Sequence, residues 1–323
     1  MKLRHHVRQE DSGLFYSTLE LVEEEERQGH QVSVMEPSTG KILYGFNGAD
    51  VPDVHLIHSQ LHHSAYHDKV PKFMWQHGEP LGSVGNGISM RAIVDLARSC
   101  EALICMRQEE HPVWDAIRKC YVVPKGIDLN RFVIQEPAPE PLKGNPAILY
   151  YENWRGQRNP LMLCIAMQEL VKEFPEARLH LYNCPGGKMY DTFRELINHC
   201  RWGTFIASIK SAEKDVPTLL NRADIVVSCL YPLYARGIEA FGCGRAFIGP
   251  GYAEHDYPYT CKLEPKSIGE AIRRCWLGPF EGGKSREFAH AYFRAWAEKH
   301  HDVSDTVKKS VDIYQRYLDV SER

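Results

Sequence analysis

The chain has 323 residues, of which 43% are hydrophobic and 25% are charged, and its formal net charge is −3 at pH 7. This length predicts two domains, and the composition excludes disorder as the default state. A net charge so close to zero gives no argument for binding nucleic acid or an anionic membrane through a general basic surface.

Cysteine usage and hydropathy narrow the class of protein further. The 10 cysteines are scattered singly, which argues against a zinc ribbon or a disulfide scaffold and fits a reducing compartment. The first residues lack the apolar core of a signal peptide, and no stretch approaches the roughly 20 apolar residues that span a bilayer. A soluble, unprocessed, cytoplasmic protein is therefore expected.

The first segments alternate as an α/β sheet requires. We predict a strand at residues 3–7, a polar loop ending at Gly13, a helix from Leu14 and a second strand at residues 32–35. The acidic run at residues 23–26 is predicted to be the solvated end of that helix.

Histidines cluster after a predicted strand at residues 53–58. They are His58, His62, His63 and His67. Their i,i+4 spacing could place two imidazoles on one helix face, as a metal site needs, but neither HExxH nor companion carboxylates follow. A polar surface helix with some site-lining histidines is favoured, and no metal site is predicted.

His77 is a candidate site residue because of its position. A predicted strand at residues 72–75 leads directly into Gln76-His77-Gly78. In an open parallel sheet the carboxyl ends of the strands form the edge that binds ligands. Position alone slightly favours a structural imidazole, and both interpretations stay open at this point.

A domain boundary is predicted in the middle of the chain. A helix at residues 90–99 and a strand at residues 102–105 lead to a tight turn at Gly126, and a proline-rich stretch follows it. We expect an N-terminal domain at residues 1–133, an extended linker at 134–146 and a C-terminal domain at 147–323.

The second half restarts the alternation. Strands are predicted at residues 147–151, 178–182, 204–207 and 225–227, with terminal helices over 267–276 and 286–318. The loop after the first of these strands carries Arg155 and Arg158, and Asn183 follows the second. Arginines in such a loop can grip phosphate oxygens, although a solvated loop has the same composition.

One stretch carries the strongest indication of a ligand. The strand at 225–227 runs into a loop with Pro232 and Gly237, then into a short helix whose first turn is predicted to contain Glu239; Gly242 and Gly244 end it. The N–H groups at a helix start, here Arg236-Gly237-Ile238, favour an anion such as phosphate. The glycines also fit tight turn geometry alone.

These segments resemble retaining GT-B glycosyltransferases of the group 1, or family 4-like, type. Glu239-Ala-Phe-Gly-Cys-Gly244 is similar to the second half of the family's nucleotide-sugar motif. In the first half of the motif, this chain has Tyr231 where the family has its first Glu. His77-Gly78, Pro124-Lys-Gly-Ile-Asp128 and Ala223-Asp-Ile-Val-Val227 match further family segments in the same order. The resemblance implies an α/β GT-B fold, with two Rossmann-like domains facing across a cleft and the last helix packing back on the first domain.

The resemblance also implies roles for the candidate residues. Arg158, helped by Arg155 and the helix start at residues 236–238, would hold the donor diphosphate. Glu239 would accept hydrogen bonds from the ribose hydroxyls, and His77 would approach the transferred sugar. The remaining positions are Gly13, near the donor phosphate or the acceptor, Asn183, which would offer backbone to the nucleotide, and Tyr231, beside the donor sugar.

The expected activity is transfer of a hexosyl or pentosyl group from a nucleotide-diphospho-sugar with retention of anomeric configuration. No Asp-x-Asp occurs in the chain, so metal independence is expected, with no cofactor other than the donor substrate. The acceptor is left open among a glycan, lipid, small molecule, protein or modified nucleic-acid base, and no obligatory protein partner is evident. The alternatives are a non-catalytic sugar-nucleotide or glycan-binding relative and a GT-B-fold epimerase; a dinucleotide oxidoreductase is weakest because no GxGxxG follows the first strand.

Overall fold

The structure, a computed structural model, describes residues 1–8, 13–58, 69–77, 89–108, 110–152, 154, 160–184, 188–210, 213–229, 235–250, 259–278 and 286–321. The chain divides into two compact units. Unit 1 comprises Met1–Asp128 and His301–Arg323, and unit 2 comprises Leu129–His300. No helix within the described residues is both long and apolar enough to cross a membrane.

The described residues form thirteen strands. They are β1 Lys2–His6, β2 Gln31–Met35, β3 Ile42–Gly45, β4 Val54–Ile57, β5 Lys72–Gln76, β6 Ala102–Cys105, β7 Cys120–Val122, β8 Ala147–Tyr151, β9 Arg178–Tyr182, β10 Ile206–Ile209, β11 Ile225–Val227, β12 Ala246–Pro250 and β13 Thr260–Cys261.

Ten α-helices lie in the same part of the chain. They are α1 Gly13–Arg27, α2 Met90–Ser99, α3 His111–Asp115, α4 Leu161–Glu173, α5 Lys188–His199, α6 Val216–Asn221, α7 Ala235–Gly242, α8 Pro265–Leu277, α9 Arg286–His300 and α10 Val303–Ser321.

Unit 1 is built on a seven-stranded sheet in the order β3-β2-β1-β4-β5-β6-β7. All neighbours are parallel except β2 and β3, which pair antiparallel. Strands β4, β5 and β6 are buried along their whole length, as near-continuous apolar runs in a parallel sheet predict. The order reverses at β1, since β2 lies on one side of it and β4 on the other.

A close backbone approach joins the two chain segments of unit 1. Ile127 and Asp302 form a parallel bridge, in which the Ile127 amide donates to His301 and the Val303 amide to Ile127. A Cβ on Gly126 would lie 2.5 Å from the Val303 backbone, so only glycine fits there without a shift.

Beyond this bridge α10 buries Tyr314, whose hydroxyl accepts a 2.8 Å hydrogen bond from the Trp75 indole.

Unit 2 contains a six-stranded parallel sheet in the order β10-β9-β8-β11-β12-β13. Its order reverses at β8, between β9 and β11. The segment at residues 134–146 is tied to this unit by two hydrogen bonds. The Leu142 amide donates to the Arg222 carbonyl, and the Arg222 side chain donates to the Glu140 carbonyl.

The predicted strands and helices are largely confirmed, with a few shifts. The single helix expected at 286–318 is two helices, α9 and α10, because Asp302 between them forms the bridge to Ile127. The strand expected at residues 204–207 begins at Ile206, because Trp202–Thr204 form a 3₁₀ turn in which the buried Trp202 ring anchors the chain. The helix expected to begin near Glu239 begins earlier, at Ala235. Gly237 therefore lies inside the helix and not in a loop, and Glu239 is its fifth residue.

Candidate functional site

The carboxyl edge of the unit 2 sheet gathers polar side chains at the point where strand order reverses. Glu152 directly follows β8, and Ser228 directly follows the neighbouring strand β11. The Ser228 hydroxyl donates to one oxygen of the Glu152 carboxylate, and the Tyr150 hydroxyl lies 3.5 Å from the other. Both Glu152 and Ser228 are buried. Open parallel sheets bind ligands at such a switch point.

Tyr151 links two of the predicted site residues at this edge. The side chain of Asn183, which follows β9, lies close enough to the Tyr151 hydroxyl to lower its pKa. The guanidinium carbon of Arg236 lies 4.6 Å from the centre of the Tyr151 ring, a cation–π contact. Burial raises the pKa of Tyr151, while the neighbouring Arg236 opposes that rise, so the phenol stays neutral and can exchange hydrogen bonds with a ligand.

Helix α7 adds an arginine and a second carboxylate to this edge. One Arg236 Nη donates to Glu239 Oε2 at 2.7 Å, three residues along the helix. The Glu239 side chain is 8% exposed and that of Arg236 is 32% exposed. Within the described residues no hydrogen bond reaches Glu239 Oε1. The arrangement therefore presents a guanidinium, a carboxylate oxygen and the first-turn amides of a helix to one ligand.

The far end of α7 fixes this geometry. The Gly244 amide donates to the Phe241 carbonyl and the Arg245 amide to the Ala240 carbonyl, with Gly244 at φ +67°. This is the Schellman arrangement, in which a left-handed residue closes the helix. Phe241 anchors the same turn in an aromatic cluster with Phe247, Phe293 and Trp296.

A chain of three imidazoles crosses the switch point of the unit 1 sheet. Glu25 Oε2 on α1 lies 2.6 Å from Nε2 of His5, in β1. His5 Nδ1 lies 2.8 Å from Nε2 of His58, which follows β4, and His58 Nδ1 lies 2.8 Å from Nε2 of His77, which follows β5. The His5 and His58 ring planes meet at 14°, so the hydrogen bond lies close to both ring planes.

The surroundings of this chain keep His58 and His77 neutral near pH 7. Burial, with a smaller effect from His5, holds the pKa of His58 well below its ordinary value. Burial, followed by the positive charge of Lys125, lowers the pKa of His77 to about 3. The Lys125 ammonium itself donates to the Ser17 hydroxyl at 2.6 Å. Desolvation disfavours the imidazolium, which is the physical cause in both cases.

The expectation that residues 23–26 form a solvated helix end is wrong for two of the four glutamates. Glu24 and Glu25 are 5% and 1% exposed. They follow the buried Leu21 by three and four residues, and positions with that spacing share one helix face. The helical period turns both carboxylates inward, where Glu25 meets His5 while Glu24 pairs with Arg27.

The structure separates the predicted site residues by unit. His77 and Gly13, the first residue of α1, belong to unit 1, and Asn183, Glu239 and the predicted anion-binding residues belong to unit 2. That last set is Arg236, Gly237 and Ile238, which lie in the first turn of α7. Arg155, Arg158 and Tyr231, with His62, His63 and His67, lie outside the described residues.

No family model matches this sequence, and neither does any curated protein. Among solved structures, Anabaena HepE in complex with UDP and glucose superposes with a TM-score of 0.72 at 14% identity, over 98% of this chain and 100% of its own. A glycosyltransferase from Rickettsia africae gives 0.71 at 14% identity, over 98% of both chains. AviGT4, a glycosyltransferase involved in avilamycin A biosynthesis, gives 0.70 at 14% identity over 98% of both chains.

The chain has the fold of these glycosyltransferases. The predicted α/β architecture of the GT-B type, with one largely parallel sheet in each of two domains, is confirmed.

Several residues of the two edges were not singled out in the sequence. Tyr151, Glu152 and Ser228 each lie at the end of a parallel strand, and that position was a usable indication once the strand order was known. Glu25 and His5 are different, because 20 residues separate them and no local pattern pairs them.

Proposed function

We propose that this chain is a glycosyltransferase that moves a sugar from a nucleoside-diphospho-sugar to an acceptor hydroxyl with retention of configuration. The observation that supports the proposal most directly is the Arg236–Glu239 pair on α7, at the carboxyl edge of a sheet whose fold is shared with glycosyltransferases. HepE was solved with UDP-glucose, and we take that donor as the first probe for this chain.

The unit 2 edge has the chemistry that a nucleotide-sugar requires. Glu239 Oε1 would accept a hydrogen bond from a ribose hydroxyl, a task that suits a carboxylate. The Arg236 guanidinium and the first amides of α7 would hold the diphosphate. Arg155 and Arg158 are proposed to complete this clamp, with Asn183 and Tyr231 beside the nucleotide and the sugar.

Breaking the bond between sugar and diphosphate leaves negative charge on the phosphate oxygens. Preorganised donors stabilise such charge most when it develops in the transition state. Because arginines and helix amides supply the positive potential and the chain has no Asp-x-Asp, we propose that transfer requires no divalent cation. In unit 1, His77 is proposed to contact the sugar or the acceptor hydroxyl, with Gly13 near it, and a front-face route requires no enzyme nucleophile.

Calorimetric titration with UDP and UDP-glucose tests the donor site. Loss of a hydrogen bond to a charged group costs about 1.5–3 kcal/mol, so Arg236→Ala should weaken binding by roughly 10- to 100-fold. Glu239→Gln should weaken it by about tenfold. Arg273→Ala is the matched control, because Arg273 forms an exposed ion pair with Glu173 on the same unit.

The outcomes separate the proposals clearly. Wild-type affinity in both α7 variants would contradict the assignment of this edge to the donor. Binding that depends on Arg236 and Glu239 but is never followed by sugar transfer or hydrolysis would favour a non-catalytic binding protein. Turnover that survives a chelator supports metal independence, and abolished turnover contradicts it.

A further inference from the structure

The histidine chain of unit 1 has a direction that its chemistry imposes. A carboxylate can only accept hydrogen bonds, so Glu25 requires a proton on His5 Nε2. A neutral His5 then has a lone pair on Nδ1, which accepts from His58 Nε2. By the same step His58 Nδ1 accepts from His77 Nε2. In the neutral chain, His77 therefore presents an unprotonated Nδ1.

The outer nitrogen of His77 is available to a ligand. Within the described residues, Nδ1 of His77 has no hydrogen-bond partner, and the residue is only partly buried, whereas Glu25, His5 and His58 are 1%, 0% and 4% exposed. The Trp75 ring lies along the chain, 5.8 Å from the His58 ring and 6.3 Å from that of His77 between centroids. Glu25, His5 and His58 are thus shielded from solvent, and His77 is the partly exposed end of the histidine chain.

We propose that Glu25, His5 and His58 are positioning residues that act through His77, fixing its tautomer and carrying a proton from its outer nitrogen to the buried His5–Glu25 pair. The role in catalysis rests on the proposed function, whereas the tautomer and the proton path do not.

In the proposed transfer the acceptor hydroxyl supplies the proton. The acceptor O–H bond breaks as its oxygen bonds to the anomeric carbon, the leaving diphosphate keeps the electron pair of the broken sugar–phosphate bond, and a proton binds His77 Nδ1. The Nε2 proton of His77 passes to His58 Nδ1, and the Nε2 proton of His58 passes to His5 Nδ1. His5 becomes an imidazolium paired with the Glu25 carboxylate, and the proton later returns to water by the same path.

This path explains how a histidine that resists protonation can still accept a proton. A positive charge left on His77 would be disfavoured by burial and by Lys125, but on His5 it would lie 2.6 Å from a carboxylate oxygen. At that distance the imidazolium would form a charge-assisted hydrogen bond with the carboxylate.

Four other ionisable groups near the histidine chain lie on several elements, and none of the four is a carboxylate that could accept the proton in place of Glu25. They are His6 on β1, His30 before β2, Lys125 after β7 and Tyr314 on α10. Burial raises the pKa of Tyr314 well above its ordinary value, so it adds no negative charge. Glu25 is the carboxylate that hydrogen bonds to the chain.

Nitrogen-15 NMR of the imidazoles tests the tautomer in the wild-type protein without any sugar. The protein has 16 histidines, so the His77 signals are assigned by their loss in His77→Asn. The proposal requires a protonated Nε2 and an unprotonated Nδ1 on His77 at pH 7.5. The opposite tautomer in the wild type would overturn it whether or not any variant folds.

Glu25→Gln and Glu24→Gln form a matched pair for the proton path. Both replace a buried carboxylate on α1 by its amide, but Glu24 contacts Arg27 and Gln28 and not the histidines. In Glu25→Gln the amide can donate or accept, so His77 should show a mixture of tautomers. The nitrogen-15 signals of His77 should therefore differ from those of the wild type in Glu25→Gln, whereas in Glu24→Gln they should match the wild type.

Kinetics separate this inference from the proposed function. Glu25→Gln should lower kcat by about 100-fold, the lower end of what a positioned general base contributes, with an unchanged KM for the donor and a displaced acid limb of the pH profile. Transfer activity with identical profiles in both glutamine variants would overturn the relay alone. Absence of transfer, with the predicted tautomer and its dependence on Glu25, would overturn the function and leave the relay standing.

Discussion

Lowering the pH from 7 to 5 should destabilise unit 1, because its sheet holds neutral imidazoles that the unfolded chain would protonate. A histidine in an unfolded chain has a pKa near 6.5. In the folded protein the pKa of His77 is lowered to about 3 and that of His58 lies well below the ordinary value. The unfolded state therefore binds the additional protons below about pH 6.5.

The magnitude follows from linkage. A histidine whose folded pKa is about 3, as for His77, makes folding less favourable by about 1.4 kcal/mol for every pH unit below about 6.5, or about 2 kcal/mol at pH 5. That is a large part of the 5–15 kcal/mol typical of a folded domain, and His58 contributes in the same direction. Above pH 6.5 both states are neutral at these positions, so the contribution there is constant. For His77 the loss continues until about pH 3.

The assay is urea unfolding between pH 5 and 8.5, followed through methyl NMR signals of Ile57 and Ile104, which are buried in unit 1. At pH 8, His58→Gln should be less stable than the wild type because one buried and one partly buried hydrogen bond are disturbed. The difference should narrow at pH 5, since the variant no longer carries this acid-sensitive group. A difference that stays constant from pH 8 to pH 5 would contradict a lowered pKa of His58 in the folded protein.

Three further changes test the packing, each by urea unfolding. Gly126→Ala should cost about 1–3 kcal/mol, because the new Cβ meets backbone at 2.5 Å, while Gly203→Ala, with nothing within 4 Å, should stay within about 0.5 kcal/mol. Arg294→Met should cost about 1–3 kcal/mol or more, because the guanidinium bonds three backbone carbonyls of unit 2. Tyr314→Phe should cost about 1–3 kcal/mol by leaving the buried Trp75 N–H without its acceptor. Unchanged stability in Gly126→Ala, Arg294→Met or Tyr314→Phe would contradict the contact on which that prediction rests.

The alternation of apolar runs with amphipathic helices was sufficient to predict the α/β fold. A strand that is buried on both faces of a sheet is a short run of apolar residues, and such a run is visible in the local sequence. The strand at residues 147–151 and the helix at 90–99 were predicted with the bounds that the structure has. The start of β10 was misplaced, since Trp202 is buried by a 3₁₀ turn that no apolar period records.

The candidate sites were less accessible to sequence reasoning than the fold. Glu239 and His77 could be proposed from their places at a helix start and a strand end. Their partners could not, because the contacts of Arg236 with Tyr151 and of His58 with His5 join residues that are 53 or more positions apart. The prediction that residues 23–26 are solvated was partly wrong because it rested on composition. The helical period decides which of the four carboxylates face the core, and it turns Glu24 and Glu25 inward.

Glycosyl transfer itself is tested most directly by proton NMR of the anomeric signals during incubation with UDP-glucose, alone and with candidate acceptors. We expect release of UDP, a first-formed sugar product with the α configuration of the donor, and loss of this turnover in Arg236→Ala and Glu239→Gln but not in Arg273→Ala. A β product would contradict retention. No turnover of any nucleotide-sugar with any acceptor class would contradict the assignment as a transferase.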